Sequence, residues 1–291
     1  MKIRSDVKLK KNYVFTYGTL MKGERNHYYL NDVDYVCDAT INGFRMIDLK
    51  SYPGLEHGDG IVVGELYLVD DKTLASIDRL EGEGYLYIRK QVTVKTINKE
   101  YEAYVYVYNQ EVNKPLYLGN GMYSWKNLNE KYVWYVSYGS NLCLERFLLY
   151  IVGGTNKELN VSQIGCKDKS LPLMSRMVNI PYKLYFAKSS SRWNNGGVAF
   201  IDETTQSNTI GRAYLITKEQ LIDVQTQEGA TWYDNKLYLG QIDGIVAYTL
   251  TSSRKETVNC VDQLYEKVVL RGLMELELDK IEAIKYLKSH M

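Results

Sequence analysis

Residues 64–82, GELYLVDDKTLASIDRLEG, return without a gap as residues 211–229, GRAYLITKEQLIDVQTQEG. The positions that agree include the first glycine, a Tyr-Leu pair, one leucine and the final Glu-Gly. A spacing of roughly 150 residues is too long for a solenoid repeat and is typical of a duplicated domain. The sequence therefore predicts two similar domains.

Composition indicates a globular protein that binds a small molecule. The chain has 291 residues, 45% of them hydrophobic, which is enough for two cores of about 100–150 residues each. The 36 basic and 35 acidic residues leave a formal net charge of +1, so we expect neither a nucleic-acid nor a membrane partner. No apolar segment follows the basic lead-in MKIRSDVKLKKN and none is long enough to span a bilayer, which favours a cytoplasmic location.

Cysteine and histidine usage does not indicate a metal site. The four cysteines lie far apart, outside any metal-ligand spacing, and the three histidines are scattered. We therefore expect free thiols and no bound metal.

The first half reads as strands separated by glycine-containing turns. The predicted strands cover residues 13–18, 35–47, 61–69, 85–97 and 101–108, the second of them interrupted at Asn42-Gly43. The stretch 53–60, with one proline and three glycines, predicts a loop. Between the third and fourth strands, Asp70 is the predicted N-cap of a helix that ends at Gly82.

The second half begins with a predicted strand at residues 132–137. A helical or buried segment at 142–152, an irregular stretch at 153–182, further strands and a helical region at 259–289 follow it. We place the domain boundaries at 1–125 and 132–291, with a linker at 126–131.

In both halves the opening strand runs into a similar turn. The motif is Tyr-Gly-Thr-Leu at residues 17–20 and Tyr-Gly-Ser-Asn-Leu at residues 138–142. A turn that leaves a strand on glycine can present backbone N–H groups to an anion, with the Thr19 or Ser140 hydroxyl as a further contact. An ordinary tight turn explains each motif equally well.

Glu81 and Glu228 end the two copies of the repeated helix. A carboxylate at a helix C-terminus faces the negative end of the helix dipole, which disfavours its ionised form and suits a general base. Two structural alternatives stay open, namely a surface glutamate before a capping glycine and an N–H acceptor that fixes a neighbouring loop.

These motifs resemble the γ-glutamylcyclotransferase-like superfamily, in two different branches. The first half, with YGTL, MKGERNH, IDRLEGEGYLYIRKQVTV and YVYVYN, is similar to γ-glutamylamine cyclotransferase and AIG2-like proteins. The second half, with YGSNL, SRWNNGGVAF, QTQEG, WYDNKLYLGQIDG and YTLTS, is similar to the glutathione-type γ-glutamylcyclotransferases. The resemblance implies an α+β fold of two tandem domains, each a mixed β-barrel with flanking helices.

The resemblance also implies a reaction and its residues. A γ-glutamyl substrate closes to 5-oxoproline and releases its amine, without metal, cofactor or covalent nucleophile. Glu81 and Glu228 match the glutamate that serves as general acid and base. The loop that holds the glutamyl carboxylate matches Tyr17, Gly18, Thr19 and Leu20 in the first half and Tyr138, Gly139, Ser140, Asn141 and Leu142 in the second. Pocket-lining or loop-anchoring positions match Tyr87, Arg89, Tyr233 and Tyr248.

Two alternatives follow from this interpretation. Arg146 either pairs with a substrate carboxylate or is an exposed helix arginine. One or both halves are either cyclotransferases or non-catalytic modules that bind a γ-glutamyl ligand. The sequence predicts no oligomeric state.

Overall fold

Residues 11–158, 161–229 and 231–291 are described by the computed structural model. The chain divides into a first unit that ends at Leu128 and a second unit that begins at Asn129. This division falls inside the linker that we placed at 126–131. Most of the basic lead-in, residues 1–10, lies outside the described residues.

Five strands of the first unit form a closed β-barrel. They are β1 (Lys11–Thr16), β2 (Asp34–Asp48), β3 (Pro53–Asp70), β4 (Tyr87–Lys95) and β5 (Glu100–Tyr108). Their order is β4-β5-β1-β3-β2, and β2 pairs with β4 to close the ring. β1 is antiparallel to β3 and parallel to β5. Two short strands, β6 (Gly119–Asn120) and β7 (Met122–Tyr123), extend the sheet beside β3.

The helix α1 (Asp71–Glu81) covers one side of this barrel. The Asp70 side chain accepts a 2.7 Å hydrogen bond from the Thr73 N–H, and Gly82 adopts the left-handed conformation at φ 60°. The predicted N-cap and C-terminal glycine are therefore confirmed. Leu74 and Ile77 are buried against the barrel, which fixes the position of the last helical residue.

Residues 53–60 are not the predicted loop but the first part of β3. Their glycines lie where neighbouring side chains approach the backbone closely. A Cβ atom on Gly60 would lie 2.2 Å from Cε2 of Tyr123, and one on Gly58 would lie 2.6 Å from Cγ of Arg45. Glycine here serves strand packing and not a turn.

The second unit repeats the strand order of the first. Its main strands are β8 (Tyr132–Ser137), β11 (Ser175–Ser190), β12 (Gly196–Thr217), β13 (Asn235–Ile242) and β14 (Ile245–Thr251). The order is β13-β14-β8-β12-β11, with β8 antiparallel to β12 and parallel to β14. Within the described residues, no β11–β13 pairing closes this sheet as β2 and β4 close the first one. The predicted α+β fold is confirmed, with the predicted β-barrel in the first unit and the same strand order in the second.

Helices and two short strands complete the structure. They are α2 (Leu128–Lys131), α3 (Leu144–Val152), β9 (Gly154–Asn156), β10 (Val161–Gln163), α4 (Lys218–Glu228), α5 (Gln263–Met274) and α6 (Lys280–Lys288). α4 begins with a capping box between Thr217 and Gln220 and ends before Gly229, so it matches α1. None of the helices in the described ranges has the length and apolar character to cross a bilayer.

Part of the stretch predicted as irregular, 153–182, is regular structure. It contains β9, β10 and the first half of β11. Pro181 escapes the usual conflict with a strand because the register of β11 against β12 shifts between Ile180 and Tyr182. A bulge is one of the few places where a sheet tolerates proline.

Candidate active sites

A cavity of ≈ 210 Å³ lies in the first unit, where the turn after β1 meets the end of α1. Tyr17, Gly18 and Thr19 line it on one side, and Glu81 and Tyr87 line it on another. The two features that repeat in the sequence, the turn and the glutamate, therefore share one cavity.

Hydrogen bonds hold the first turn (17–20) while its own amides stay available. The Tyr17 hydroxyl donates to the Tyr106 carbonyl at 2.6 Å, and the Asn26 side chain and amide N–H donate to Thr19 at 3.0 and 2.9 Å. Within the described residues, the amide N–H groups of residues 18–20 have no hydrogen-bond acceptor. Consecutive backbone N–H groups without an acceptor are able to bind an anion.

The Glu81 carboxyl group is half-buried and untethered. Burial raises the pKa of Glu81 to about 7. No described residue donates a hydrogen bond to its side chain. The pKa of Tyr87 is also raised, mainly by burial and secondly by the charge of Glu81. The Tyr87 hydroxyl donates a hydrogen bond to the Pro53 carbonyl at 2.8 Å. Glu81 is therefore able to gain and lose a proton near neutral pH.

The second unit has the matching groups in two adjoining cavities. One of ≈ 30 Å³ is bounded by residues 138–141 of the second turn (138–142), and one of ≈ 320 Å³ extends to residues 189–193. Glu228 and Tyr233 line both.

The hydroxyl groups of the second site repeat the bonds of the first. Tyr138 donates to the Leu250 carbonyl on β14 at 2.6 Å, as the tyrosine of the first turn does on β5. Tyr233 donates to the Ala199 carbonyl at 3.1 Å near the start of β12, as Tyr87 does at the start of β3. The two sites are built on equivalent positions.

The Glu228 carboxyl group differs from its counterpart because both of its oxygens are held. Asn141 Nδ2 donates to Oε1, and the Tyr150 hydroxyl donates to Oε2 at 3.2 Å. Burial raises the pKa of Glu228, and the charge of Arg146 is the largest opposing effect, with smaller ones from Tyr150 and Asn141. Asn141 stands at the motif position that Leu20 occupies in the first turn. One residue of the turn thus supplies a donor in one site and none in the other.

Some predicted residues lie away from the cavities. The side chains of Leu20 and Leu142 are buried in the cores of their units. Arg89 forms a 2.7 Å ion pair with Asp78, and the Tyr248 ring packs on a β13 tyrosine. Neither Arg89 nor Tyr248 is among the residues that line these three cavities.

Other residues also line the cavities, and among them Arg146 alone is a candidate from the sequence. Arg25 and Tyr52 belong to the first lining, and Arg146, Tyr150 and Arg192 belong to the second. Arg146 is 1% exposed, so the alternative of an exposed helix arginine is wrong. The SRWNNGG motif contains one of these residues and was the available signal for it.

Comparisons with known proteins identify a family model and relatives that this chain resembles. A family model described as gamma-glutamyl cyclotransferase, AIG2-like, matches residues 14–126. A putative gamma-glutamylcyclotransferase of Vibrio cholerae is 40% identical over 99 residues, which cover 33% of this chain and 82% of that protein. Histone deacetylase 5 of Arabidopsis thaliana is 30% identical over 210 residues, which cover 56% of this chain and 32% of that protein.

The chain thus spans about a third of the length of the plant relative. Among solved structures, YkqA from Bacillus subtilis has a TM-score of 0.39 and 22% identity, with 97% of this chain and 98% of that chain covered. The bacterial relative is matched over most of its own length. The chain therefore belongs to the gamma-glutamyl cyclotransferase, AIG2-like family.

Proposed function

We propose that each unit is a γ-glutamyl cyclotransferase site, which converts a γ-glutamyl amine or peptide into 5-oxoproline and a free amine. The observation that carries the proposal is the shared cavity. In both units a glutamate at the end of the equivalent helix faces the Tyr-Gly turn across a cavity. Both glutamates have a pKa raised by burial.

The turns provide the binding half of this chemistry. In the first unit, the free N–H groups of residues 18–20 donate hydrogen bonds to the α-carboxylate of the glutamyl group. Fixing the carboxylate orients the adjacent α-amine towards its own γ-carbonyl. Because both reacting groups belong to one molecule, no second reactant has to be brought to the site, and the turn contributes by holding the substrate in its reactive conformation.

The glutamates provide the acid and base. Ionised Glu81 takes a proton from the α-amino group, whose nitrogen then bonds to the γ-carbonyl carbon. The bond from that carbon to the leaving nitrogen breaks, and the protonated Glu81 returns the proton to the departing amine. A pKa of about 7 suits both transfers, because the two protonation states coexist near neutral pH.

A second function, a non-catalytic binding module, is favoured for the second unit by one observation. Glu228 has hydrogen bonds on both oxygens, and the cavity at its turn measures only ≈ 30 Å³. A tethered carboxylate accepts a proton less readily than a free one. Turnover by the second unit distinguishes the two functions, because a binding module releases no 5-oxoproline.

The test measures 5-oxoproline released from a panel of γ-glutamyl amines and dipeptides. We expect Glu81→Gln and Glu228→Gln each to remove a different part of the activity, and the double variant to be inactive. Glutamine keeps the size of the side chain and removes its basicity. The matched controls are Glu83→Gln and Glu219→Gln, which change exposed carboxylates on or beside the same helices.

Each outcome has a defined meaning. An active double variant would show that these glutamates are not the bases. Activity that depends on Glu81 alone, with ligand binding retained in the second unit, would establish the second unit as a module.

A further inference from the structure

An ion pair lies beside each turn, and the two pairs have opposite polarity. The strand member is Glu65 on β3 in the first unit and Arg212 on β12 in the second. Each directly follows the first glycine of its repeat copy, and each residue is 7% exposed. Their partners are Lys126, at 3.1 Å, and Glu275, at 2.6 Å. One repeat position therefore carries an acid in the first unit and a base in the second.

The carboxylate of each pair accepts a backbone N–H two residues beyond the turn. In the first unit, Glu65 Oε2 accepts from the Lys22 amide at 2.7 Å. In the second unit, Glu275 Oε2 accepts from the Leu144 amide at 2.8 Å. The first carboxylate comes from a strand and the second from the residue after α5, so different elements make the same bond.

The cation of each pair donates to a backbone carbonyl at the same end of the turn. Lys126 Nζ donates to the Lys22 carbonyl at 2.6 Å. Arg212 Nη1 donates at 3.0 Å to the carbonyl of Leu142, the last residue of the second turn. A buried ion pair needs further hydrogen bonds to offset its lost hydration, and these backbone groups supply them. Each pair therefore fixes a backbone N–H and a backbone carbonyl of the chain that leaves its turn.

The second pair also lies close to the residue that tethers the second glutamate. A Cβ atom on Gly272 of α5 would lie 2.4 Å from the Cys143 nitrogen, so the helix needs a glycine to come this near the turn. The Tyr214 hydroxyl on β12 donates to the Asn141 carbonyl at 2.8 Å, and the Asn141 side chain donates to Glu228. The second ion pair thus holds the chain one residue beyond this donor.

We propose that the pair of Glu65 and Lys126 and the pair of Arg212 and Glu275 are equivalent positioning devices, each of which holds its turn in the geometry that binds the glutamyl carboxylate. The inference rests on the proposed cyclotransferase function for the identity of that ligand. None of the four side chains lines the cavities of the two sites, so they act through the turns. The second pair additionally positions the Asn141 donor, which has no counterpart in the first turn.

Glu275→Ala tests the second pair, in the full chain with Glu81→Gln so that turnover of γ-glutamylglycine reports the second unit. We expect KM to rise about 3–10-fold, because the turn loses its support. The rise of turnover with pH should also move about 0.5 pH unit higher, because the tether on Glu228 loosens. Removal of a negative charge by itself lowers the pKa of a carboxyl group, so an upward shift identifies positioning. Glu266→Ala on the same helix is the matched control.

Other titratable groups face Glu228 from several elements, and the variants tested change none of them. They are Arg146 and Tyr150 on α3, Arg192 in the 3₁₀ turn Ser191–Trp193, Tyr135 and Tyr138 on and after β8, Tyr233 after α4 and Tyr265 on α5. A shifted profile in Glu275→Ala therefore originates in the turn.

Lys126→Ala tests the first pair, in a Glu228→Gln background with γ-glutamylethylamide as the substrate. KM should again rise about 3–10-fold, but the pH profile should stay in place. Burial sets the raised pKa of Glu81, and no described residue of the first turn donates to its carboxyl group. Lys72→Ala on α1 is the matched control. A moved profile here, or an unmoved one in Glu275→Ala, would overturn the assigned difference between the pairs.

Hydrogen exchange of the full chain, followed by mass spectrometry, separates this inference from the proposed function because it needs no turnover. Glu275→Ala should speed exchange about 5–10-fold in the peptide that contains Leu144, and Glu65→Ala should do so in the peptide that contains Lys22. These local changes without turnover by any protein, the natural chain included, would overturn the cyclotransferase function and leave the positioning pairs standing. Unchanged exchange at these peptides, or faster exchange throughout the unit, would overturn the positioning role while turnover still supports the function.

Discussion

The amide N–H of Lys22 donates a 2.7 Å hydrogen bond to Oε2 of Glu65, so a buried carboxylate on β3 holds the chain just beyond the first turn. The Tyr67 hydroxyl donates to the same oxygen at 2.8 Å. Lys126 Nζ donates to Oε1 at 3.1 Å and to the Lys22 carbonyl at 2.6 Å. Lys22 is thereby fixed at both its amide and its carbonyl group.

Replacing Glu65 should loosen this support. We expect Glu65→Ala to lower the free energy of unfolding by about 2 kcal/mol, because the Lys22 and Tyr67 donors lose their buried acceptor. KM at the first site, measured in a Glu228→Gln background, should rise because the first turn is less well held. Urea unfolding and 5-oxoproline kinetics measure the two effects. The exposed Glu102→Ala is the control, and an equal loss in both variants would contradict a specific role for Glu65.

Glu81 should make the protein less stable as pH rises. Its pKa is about 7 in the folded protein against a usual value of 4.5, so the folded state binds this proton more tightly than the unfolded state. The contribution of Glu81 to stability is therefore full below about pH 4.5 and is lost as pH rises through 7. At pH 8, Glu81→Gln should be more stable than the natural chain, by up to about 3 kcal/mol.

This gain should shrink towards zero at pH 5, where the natural side chain is already largely protonated. Urea unfolding at both pH values measures it, with Glu83→Gln as the control for the loss of an exposed charge. The same proton governs activity, so turnover by the first site should rise with pH through about 7. A stability difference that is equal at pH 5 and pH 8 would contradict the raised pKa.

Local signals explain which parts of the fold were predictable. Asp70 and Gly82 bracket α1 through contacts within a few residues, so the sequence alone was sufficient to place Glu81 at its end. The glycines of residues 53–60 were misinterpreted because they serve close packing against other strands, which is a tertiary property. Arg146 was ambiguous for the same reason, since a helix pattern does not tell which cavity the helix will cover.

Gly64 and Gly211, the first glycines of the two repeat copies, should differ in how well they tolerate a side chain. A Cβ atom on Gly64 would lie 2.2 Å from the Thr16 carbonyl oxygen, whereas one on Gly211 would lie 2.8 Å from Cγ1 of Val136. Backbone in a paired strand moves less easily than a methyl group. We expect Gly64→Ala to cost about 3 kcal/mol and Gly211→Ala about 1 kcal/mol, measured by urea unfolding. Equal losses in the free energy of unfolding would contradict this prediction, because they would show that the backbone at Gly64 yields as readily as the side chain at Gly211.

Asn141 should set the protonation behaviour of the second site. Asn141→Leu introduces the residue type that the first turn has at this position and removes the donor to Oε1 of Glu228. Because that hydrogen bond favours the ionised carboxylate, its loss should raise the pKa of Glu228 further. In a Glu81→Gln background, the rise of turnover with pH should move to higher pH, and Tyr150→Phe should move it in the same direction. An unchanged profile in both variants, with turnover retained, would mean that burial and the arginines alone set the proton affinity of this carboxyl group.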